Sequence, residues 1–266
     1  MRISNPRRKP ASWIAVLTGS VASVLFPGCC PLCDQLLVDA RRVPICDECL
    51  GSFPAVLPRR CEICGQPGAF DPEFPKETAY CKDCERHRFA FELARSYGLY
   101  EDELVRAILL LKHERMEPLG KWLARQLATV VEREKNRMAV DVLIPVPLHA
   151  QRARERGFSQ VDVFGRPLAG LLSLPYKPVL LVRPRPRPEK HLLRNEERWE
   201  AVRGAFAMRK GSRVDNLRIL LLDDVMTTGA TLDACSRALR EAGAKSVVGL
   251  TIARAGQSVS SFVDAR

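Results

Sequence analysis

Residues 218–231 read RILLLDDVMTTGAT and set the narrowest limits on how this chain can fold. The unbroken apolar run Ile219–Leu222 suits a strand buried on both faces of a parallel sheet. Asp223 and Asp224 follow where the strand would emerge, and a turn of small and hydroxyl-bearing residues then opens a helix. The free N–H groups and the dipole of a helix N-terminus favour an anion. This order predicts a phosphate site, and the two carboxylates suit the hydroxyls of an attached sugar.

The same stretch resembles the phosphoribosyl-pyrophosphate signature of type I phosphoribosyltransferases. The resemblance implies that Asp223 and Asp224 hold the ribose hydroxyls and that the turn wraps the 5-phosphate. The residues of that turn are Thr227, Thr228, Gly229, Ala230 and Thr231. The alternative is a plain strand-to-helix turn with an N-capping Asp or Thr, but a cap needs only one such residue. No Gly-Lys-Ser/Thr follows the turn, so it is not a Walker-type loop.

The charge balance of the chain points to anionic partners. Among 266 residues, 42 are Lys or Arg and 31 are Asp or Glu, which gives a net charge of +11. Such an excess favours nucleic acid, phosphorylated metabolites or an anionic membrane surface. The apolar fraction of 46% is ample for a core, and the length allows one large domain or two smaller ones.

Residues 1–28 begin with a basic segment and continue with a mostly apolar one. This order resembles the opening of a secretory signal. However, polar residues dilute the apolar run, which is too short to span a membrane as a helix. We therefore expect a basic segment with a docking helix, no transmembrane segment and a cytoplasmic protein, because the cysteines that follow are typical of metal ligands in a reducing compartment.

Eight of the ten cysteines form four Cys-x2-Cys pairs, which we call knuckles. They are Cys30/Cys33, Cys46/Cys49, Cys61/Cys64 and Cys81/Cys84. Twelve residues separate the first two knuckles and sixteen the last two, close to the spacing of structural zinc sites. Sequential pairing gives two sites of four thiolates each, and an interleaved pairing stays open. The spacing favours Cys30 over the neighbouring Cys29 as the ligand.

The alternatives for these knuckles are a disulfide framework or redox pairs. A redox pair normally stands alone near a βαβ unit, whereas four regularly placed knuckles favour two structural Zn²⁺ ions. A closed site with four protein ligands stabilises the fold and leaves no open position for catalysis. The sequence therefore predicts a small double zinc-ribbon domain over residues 29–90.

Alternating strand and helix patterns occupy residues 91–266. Besides the signature strand, the strand candidates are Ala94–Tyr100, Val140–Leu148 and Ser246–Ala253. Segments with helical spacing lie between them, and we expect a kink or break at Pro167. Such alternation predicts an α/β domain with a parallel sheet flanked by helices and right-handed crossovers. Ligands of such sheets bind beyond the carboxyl ends of the strands.

The order of motifs along the whole chain resembles the ComF family, from about Phe26 to Arg254. After the cysteine knuckles come LKHER, IPVPL, RERGFSQ, the signature and a terminal Ala-Arg. The family is associated with DNA uptake during natural transformation and joins a zinc region to a type I phosphoribosyltransferase-like domain. The resemblance implies binding of phosphoribosyl pyrophosphate with Mg²⁺. Single-stranded DNA and DNA-uptake helicase or processing proteins are the implied macromolecular partners.

The resemblance also implies residues that face the pyrophosphate. Lys112 of LKHER matches a family lysine on that side of the site. Arg152, Arg156 and Gln160 match a mobile segment in which the family usually has RGFNQ, and Ser159 here replaces the Asn. Lys112 with Arg152 or Arg156 would neutralise the leaving group.

Residues 183–213 are the most basic part of the chain and predict a hood over the domain, with ten Lys or Arg and four Glu. The candidate nucleic-acid contacts are Arg183, Arg185, Arg187 and Lys190. Trp199 and Phe206 are aromatics that could stack on bases. The alternative is a solvated basic face that aids solubility. The family usually has Thr, Gln and Asn where Arg187, Lys190 and Ala201 stand, which separates this segment from the family pattern.

Two hypotheses about function follow. The first is a phosphoribosyltransferase that uses phosphoribosyl pyrophosphate and Mg²⁺, with an acceptor that the sequence does not identify. The second is a non-catalytic competence factor that retains the phosphate site and binds single-stranded DNA and partner proteins. The sequence contains no convincing general base and no Ser/His/Asp or Cys/His arrangement, so no catalytic residue is assigned.

Overall fold

The computed structural model describes residues 28–37, 43–54, 60–67, 80–86, 89–184 and 199–256. The chain divides into two compact units, Met1–Ser52 and Phe53–Arg266. The docking helix expected before Gly28 lies outside the described residues. The domain boundary between residues 90 and 91 stays a prediction. In the described part of the chain, the helices are too short or too polar to cross a membrane.

The first unit contains the first two knuckles. Strand β1 (Gly28–Cys29) pairs antiparallel with β2 (Leu36–Leu37), and helix α1 (Asp47–Gly51) follows. The thiol of Cys46 caps α1 by accepting a hydrogen bond from the amide of Cys49. The knuckle therefore uses the first turn of a helix to fix the direction of both side chains.

The second unit is built on a four-stranded parallel sheet. Its strands are β3 (Leu93–Leu99), β4 (Val142–Pro145), β7 (Arg218–Met226) and β8 (Ser246–Arg254), in the order β3-β8-β7-β4. Strands β5 (Leu181–Val182) and β6 (Ala207–Met208) form a separate antiparallel pair. The apolar run of β7 is completely buried, as expected for a strand covered on both faces. The predicted parallel α/β fold is confirmed.

Helices connect and flank these strands. They are α2 (Lys82–Arg86), α3 (Asp102–Glu114), α4 (Glu117–Arg133), α5 (Ala150–Arg156), α6 (Gln160–Leu171) and α7 (Ala230–Glu241). One face of α7 packs into the core, because Leu232, Cys235 and Leu239 are fully or almost fully buried. Gly243 then takes a φ of +97°, which suits the end of a helix.

Of the kink or break predicted at Pro167, the break is wrong, because α6 runs through this residue. Proline removes the hydrogen bond to the carbonyl four residues earlier, which belongs to Val163. Helix α4 packs closely at that point, since a Cβ on Gly120 would lie only 2.6 Å from the Val163 oxygen. We attribute the continuity of α6 to this packing, which the local sequence does not reveal.

The third knuckle is built into the edge of the sheet at β3. The amide of Ala94 donates to the Ile63 carbonyl over 2.7 Å. Arg95, which is 1% exposed, donates to the Glu62 carbonyl over 3.1 Å and lies 3.2 Å from a Glu134 carboxylate oxygen. This loop therefore covers the edge of β3 and satisfies its backbone.

Candidate functional site

The acidic pair lies near the carboxyl end of β7. Asp224 is almost buried, and its Oδ2 is 2.9 Å from Lys112 Nζ. Asp223 is half-buried, and its Oδ1 accepts a hydrogen bond from the Asp224 amide over 2.9 Å. The Val225 amide donates to Asp224 Oδ1 over 2.8 Å. The free protein thus holds Asp224 in a fixed orientation, with a cation already beside it.

Lys112 comes from the last turn of α3, which ends at Arg115 in the left-handed conformation. Burial alone would lower the pKa of Lys112, but the adjacent Asp224 carboxylate outweighs burial and raises it. A lysine in this position stays charged. It lies at the carboxyl edge of the sheet, where a polyanionic substrate would enter.

Gln160 extends the contact from Asp224 to the RGFSQ segment. Its side chain is 5% exposed at the start of α6 and donates from Nε2 to Asp224 Oδ2 over 3.3 Å. Arg156 Nη1 in turn donates to Gln160 Oε1 over 2.8 Å. Lys112, Asp224, Gln160 and Arg156 therefore form one chain of contacts across three separate motifs. No contact was predicted for Gln160 from the sequence. Its position in the RGFSQ motif was the only indication that it belongs to the site.

The pKa of Asp223 differs from that of an ordinary carboxyl group. Partial burial and the negative charge of Asp224 raise it to about 8. Lys112 opposes this shift but does not cancel it, because it pairs with Asp224. When two adjacent carboxylates share one cation, one of the two stays protonated until a ligand brings more hydrogen-bond donors or positive charge.

The turn between β7 and α7 contains a buried glycine just before the helix begins. Thr227 is exposed and Thr228 half-buried, while Gly229 is buried with a φ of +82°. A Cβ on Gly229 would lie 2.8 Å from Met226 Cε and 3.1 Å from the ring of Phe89, so glycine alone fits without strain. The first amides of α7 follow at Ala230 and have no intrahelical partner.

Arg254 donates hydrogen bonds to the backbone of this turn. No role was predicted for it from the sequence. It ends β8, is 3% exposed, and donates to the carbonyls of Met226, over 3.0 Å, and of Thr227. Its other terminal nitrogen is 3.7 Å from Cys64 Sγ. The terminal Ala-Arg motif was the only indication of this role. The sequence alone does not show that Arg254 lies close to the turn and to Cys64.

The structure does not describe the position of several predicted site residues. The side chain of Arg152 lies outside the described part of the chain, as do Arg185, Arg187 and Lys190. Arg183 lies over the ring of Phe206, with its guanidinium carbon 4.9 Å from the centroid.

The prediction that Phe206 could stack on a base is wrong, because the ring is 6% exposed and belongs to the core. Trp199 packs against Phe89 at 5.7 Å between ring centroids. One of the two proposed stacking platforms is therefore part of the fold.

Two surface grooves border the site segments. One, of about 400 Å³, is lined by Gly157, Phe158 and Ser159 together with basic residues that include Arg115 and Lys121. The other, of about 550 Å³, borders the start of α7, and its lining includes Trp199, Arg86, Arg203 and Arg237. Neither groove is lined by Asp223 or Asp224, which agrees with the closed ion pair at Asp224.

The cysteines form two clusters by sequential pairing, which the sequence had left open. The first cluster is Cys30, Cys33, Cys46 and Cys49, and the second is Cys61, Cys64, Cys81 and Cys84. Within each, the sulfur atoms lie within 4.8 Å of one another. Four sulfurs around Zn²⁺ at about 2.3 Å lie about 3.8 Å apart, close to the 3.7 Å between Cys33 and Cys46 and the 3.5 Å between Cys64 and Cys81.

Backbone amides also point at these sulfurs. The amide of Cys46 donates to Cys30 Sγ over 3.5 Å, and that of Cys81 donates to Cys61 Sγ over 3.4 Å. Such N–H···S bonds support the thiolate form that binds metal. Cys29 is exposed outside the clusters and Cys235 is buried in the core, as predicted. The donor set fits two structural zinc sites.

Comparison with known proteins gives two domain matches and several relatives. Residues 21–85 match the double zinc ribbon domain, and residues 177–260 match the phosphoribosyl transferase domain. The chain is 30% identical over 224 residues to the DNA utilization protein YhgH of Salmonella typhimurium, covering 83% of this chain and 94% of that protein. It is 26% identical over 214 residues to Competence protein F of Haemophilus influenzae, covering 79% and 89%.

Among solved structures, the chain is similar to the glutamine phosphoribosylpyrophosphate amidotransferase of B. subtilis complexed with ADP and GMP. The identity is 24% and the TM-score 0.32, over 49% of this chain and 25% of that one. Similarity at this level carries no argument about the site. The domain matches and the relatives agree with the motif order along the sequence.

Proposed function

Because this chain belongs to the ComF family, which joins a double zinc ribbon to a phosphoribosyltransferase domain, we propose that it binds phosphoribosyl pyrophosphate with Mg²⁺. The proposed site is the carboxyl end of β7 and the turn that follows. The observation that carries this proposal is the contact chain from Lys112 through Asp224 and Gln160 to Arg156. A structural ion pair has no need of a second cationic residue and a glycine-containing turn at the same edge.

In this proposal the acids and the turn bind the sugar phosphate. Asp223 and Asp224 accept hydrogen bonds from the two ribose hydroxyls, and the first amides of α7 bind the 5-phosphate, with the Ala230 amide exchanging its long 3.4 Å bond to Thr228 Oγ1 for the ligand. Ligand entry exchanges the Lys112 contact on Asp224 for the ribose hydroxyls. Lys112 is then released a short distance from the place where the pyrophosphate lies.

The leaving group requires positive charge. As the bond from the anomeric carbon to the pyrophosphate oxygen breaks, Lys112 and Arg156 neutralise the charge that develops on the pyrophosphate. Mg²⁺ would supply further charge and orient the phosphates. It prefers hard oxygen ligands, and the carboxylates of Asp223 and Asp224 could provide part of its shell beside the substrate's own oxygens. The nucleophile that takes the phosphoribosyl group is not assigned.

Calorimetry with phosphoribosyl pyrophosphate and Mg²⁺ tests this proposal. Asp224→Asn should weaken binding by about tenfold or more, because each charge-assisted hydrogen bond is worth about 1.5–3 kcal/mol. The matched control is Asp141→Asn, which removes an acid from the other end of the sheet, where Asp141 pairs with Arg218 at the start of β7. The proposal fails if the wild-type protein gives no binding heat, or if both variants bind as the wild type does.

A second candidate function is binding of single-stranded DNA. The specific observation in its favour is the groove of about 550 Å³, whose lining includes Trp199, Arg86 and Arg203 beside the start of α7. Arginines and an aromatic ring in one groove suit a phosphate backbone and stacked bases.

Anisotropy of labelled single-stranded DNA at increasing salt tests this second candidate. Arg203→Gln should weaken binding and lower the salt slope, because one phosphate contact is lost. Arg166→Gln is the control, since it removes an exposed arginine that lines the other groove. Absence of binding at low salt would exclude this function.

A further inference from the structure

The guanidinium of Arg254 contacts two parts of the molecule that are far apart in the sequence. One part is the start of the phosphate turn, where Arg254 donates to the carbonyls of Met226 and Thr227. The other part is the second cysteine cluster, where Arg254 Nη2 is 3.7 Å from Cys64 Sγ. Both sets of contacts are almost completely buried, because Arg254 is 3% exposed.

A buried arginine needs a partner of negative charge. In the described part of the chain, no carboxylate forms an ion pair with Arg254, and Cys64 Sγ is its acceptor outside the turn. Four thiolates around one Zn²⁺ carry a net charge of −2, so the metal-loaded cluster supplies that charge. The planar guanidinium has donors on several edges, so it can hold the sulfur and the two carbonyls at once.

The cluster is itself held firmly on its other side. Arg95 donates to the carbonyls of Glu62 and Ile63, and a Cβ on Gly65 would lie 2.9 Å from the Ala94 oxygen. The third knuckle therefore cannot shift without disturbing β3. A rigid loop is a suitable anchor for an arginine that must keep a second loop in place.

We infer that Arg254 is a positioning residue that ties the phosphate turn to the second cysteine cluster, so that Zn²⁺ in this cluster holds the turn in its binding shape. With the metal bound, the four sulfurs converge on one point and Cys64 Sγ stays beside Arg254. Without it, the sulfurs are no longer held together, Arg254 loses its charged partner, and the carbonyls of Met226 and Thr227 lose their donor. This coupling does not depend on which ligand the turn binds.

The first test is hydrogen exchange of the full-length, zinc-loaded protein without any ligand. Arg254→Lys keeps the charge but cannot span the sulfur and both carbonyls. Exchange of the Ala255 and Asp233 amides, which donate over 2.9 Å to the Met226 and Gly229 carbonyls of the turn, should accelerate about tenfold, the effect of losing one charge-assisted hydrogen bond. We call this measurement turn exchange. The matched control is Arg218→Lys, which changes an arginine at the other end of β7, where it pairs with Asp141. It should leave exchange in the turn unchanged.

The second test acts through the metal and keeps both Arg254 and Cys64. Cys81→Ser weakens metal binding in the second cluster, and Cys33→Ser does the same in the first cluster, which belongs to the other compact unit. After mild chelation, turn exchange should accelerate in Cys81→Ser and stay unchanged in Cys33→Ser. This pair keeps the inference testable if Arg254→Lys does not fold.

A spectroscopic measurement separates a direct bond to sulfur from a general loss of structure. In the cobalt-substituted protein, Arg254→Lys should shift the sulfur-to-cobalt charge-transfer bands, because the hydrogen bond to Cys64 Sγ changes. The shift should persist in the Cys33→Ser background, where the second cluster dominates the spectrum. Unchanged bands together with unchanged turn exchange would overturn the inference. Because no phosphoribosyl pyrophosphate is present, that result would leave the proposed binding function standing.

Discussion

Lys112 and Asp224 form a largely buried ion pair in the free protein. Their side chains are 15% and 13% exposed, and their charged atoms lie 2.9 Å apart. Such burial makes an unpaired charge costly, so each residue depends on the other in the free protein. The same pair is well placed to separate when a diol and a polyanion arrive together.

Removing one member of this pair should be more costly than removing both. Lys112→Met should lower the free energy of unfolding by about 3–5 kcal/mol, because the buried Asp224 carboxylate loses the ammonium group that lies 2.9 Å away. Lys112→Met combined with Asp224→Asn should recover much of that loss. Urea unfolding measures both. The control is Arg115→Gln, which breaks an exposed pair with Glu117 and should change stability by at most about 1 kcal/mol. Equal effects for the single and double variants would contradict the expectation.

The raised pKa of Asp223 predicts a pH dependence of stability. With a folded-state pKa of about 8 against an ordinary value of 3.8, the folded state binds more protons than the unfolded state between these values. Stability therefore falls as pH rises through that window. Asp223→Asn removes this slope and should stabilise the free protein toward pH 8, by on the order of 2 kcal/mol.

Thermal unfolding across that pH range measures this effect. Asp141→Asn is the control of opposite sign, because Arg218 lowers the pKa of Asp141 to about 2. Asp141 contributes stability above pH 3.8 that is lost as pH falls toward 2, so its removal destabilises the protein at neutral pH. A wild-type protein whose stability rises steadily with pH from 3.8 to 8, with no difference in Asp223→Asn, would show that Asp223 is ionised throughout.

At the scale of elements, the turn between β7 and α7 depends on one glycine. Gly229→Ala should lower stability by about 1–2 kcal/mol from the positive φ, and by about 1–3 kcal/mol more from crowding against Phe89. Gly157→Ala is a matched control, since Gly157 has a φ of +70° with no atom within 4 Å of the added Cβ. Denaturant unfolding of the two variants separates strain from crowding. Equal losses of stability in the two variants would mean that the Phe89 ring moves aside at no cost in free energy.

Sequence predicted the local features of these elements and missed the contacts between them. The strand at Ile219–Leu222 followed from its unbroken apolar run, because such a run suits a strand covered on both faces of a parallel sheet. The continuity of α6 through Pro167 did not, since it depends on Gly120 of another helix. Gln160 and Arg254 were visible as motif residues, but Gln160 meets Asp224 across 64 positions, and Arg254 meets the turn carbonyls across 27 and 28 positions.

At the scale of the whole molecule, the two cysteine clusters predict two bound zinc ions per chain. Native mass spectrometry of the full-length protein should find two, and Cys33→Ser or Cys81→Ser should each lower the number by one. Chelation should lower the melting temperature, because closed thiolate sites contribute directly to folding. A wild-type protein that carries no zinc and melts unchanged in chelator would contradict the assignment.

Loss of metal from the two clusters should affect the fold of the sheet differently. Cys61, Cys64 and Cys84 belong to the core that also contains Ile219 and Leu221 of β7, whereas the first cluster belongs to the other compact unit. The sequence does not distinguish the two clusters, because the four knuckles are alike in spacing. Only the folded contacts show that the second cluster is part of the core of the sheet.

The register of β7 and β8 makes chain length itself part of the site. These parallel strands pair from Arg218 with Ser246 to Met226 with Arg254, so both reach the turn at the same level. Side chains alternate between faces along a strand, so one residue added to or removed from Ser246–Arg254 would send the final arginine to the opposite face. The nine-residue count of β8 is therefore as necessary to the turn as the identity of any residue in it.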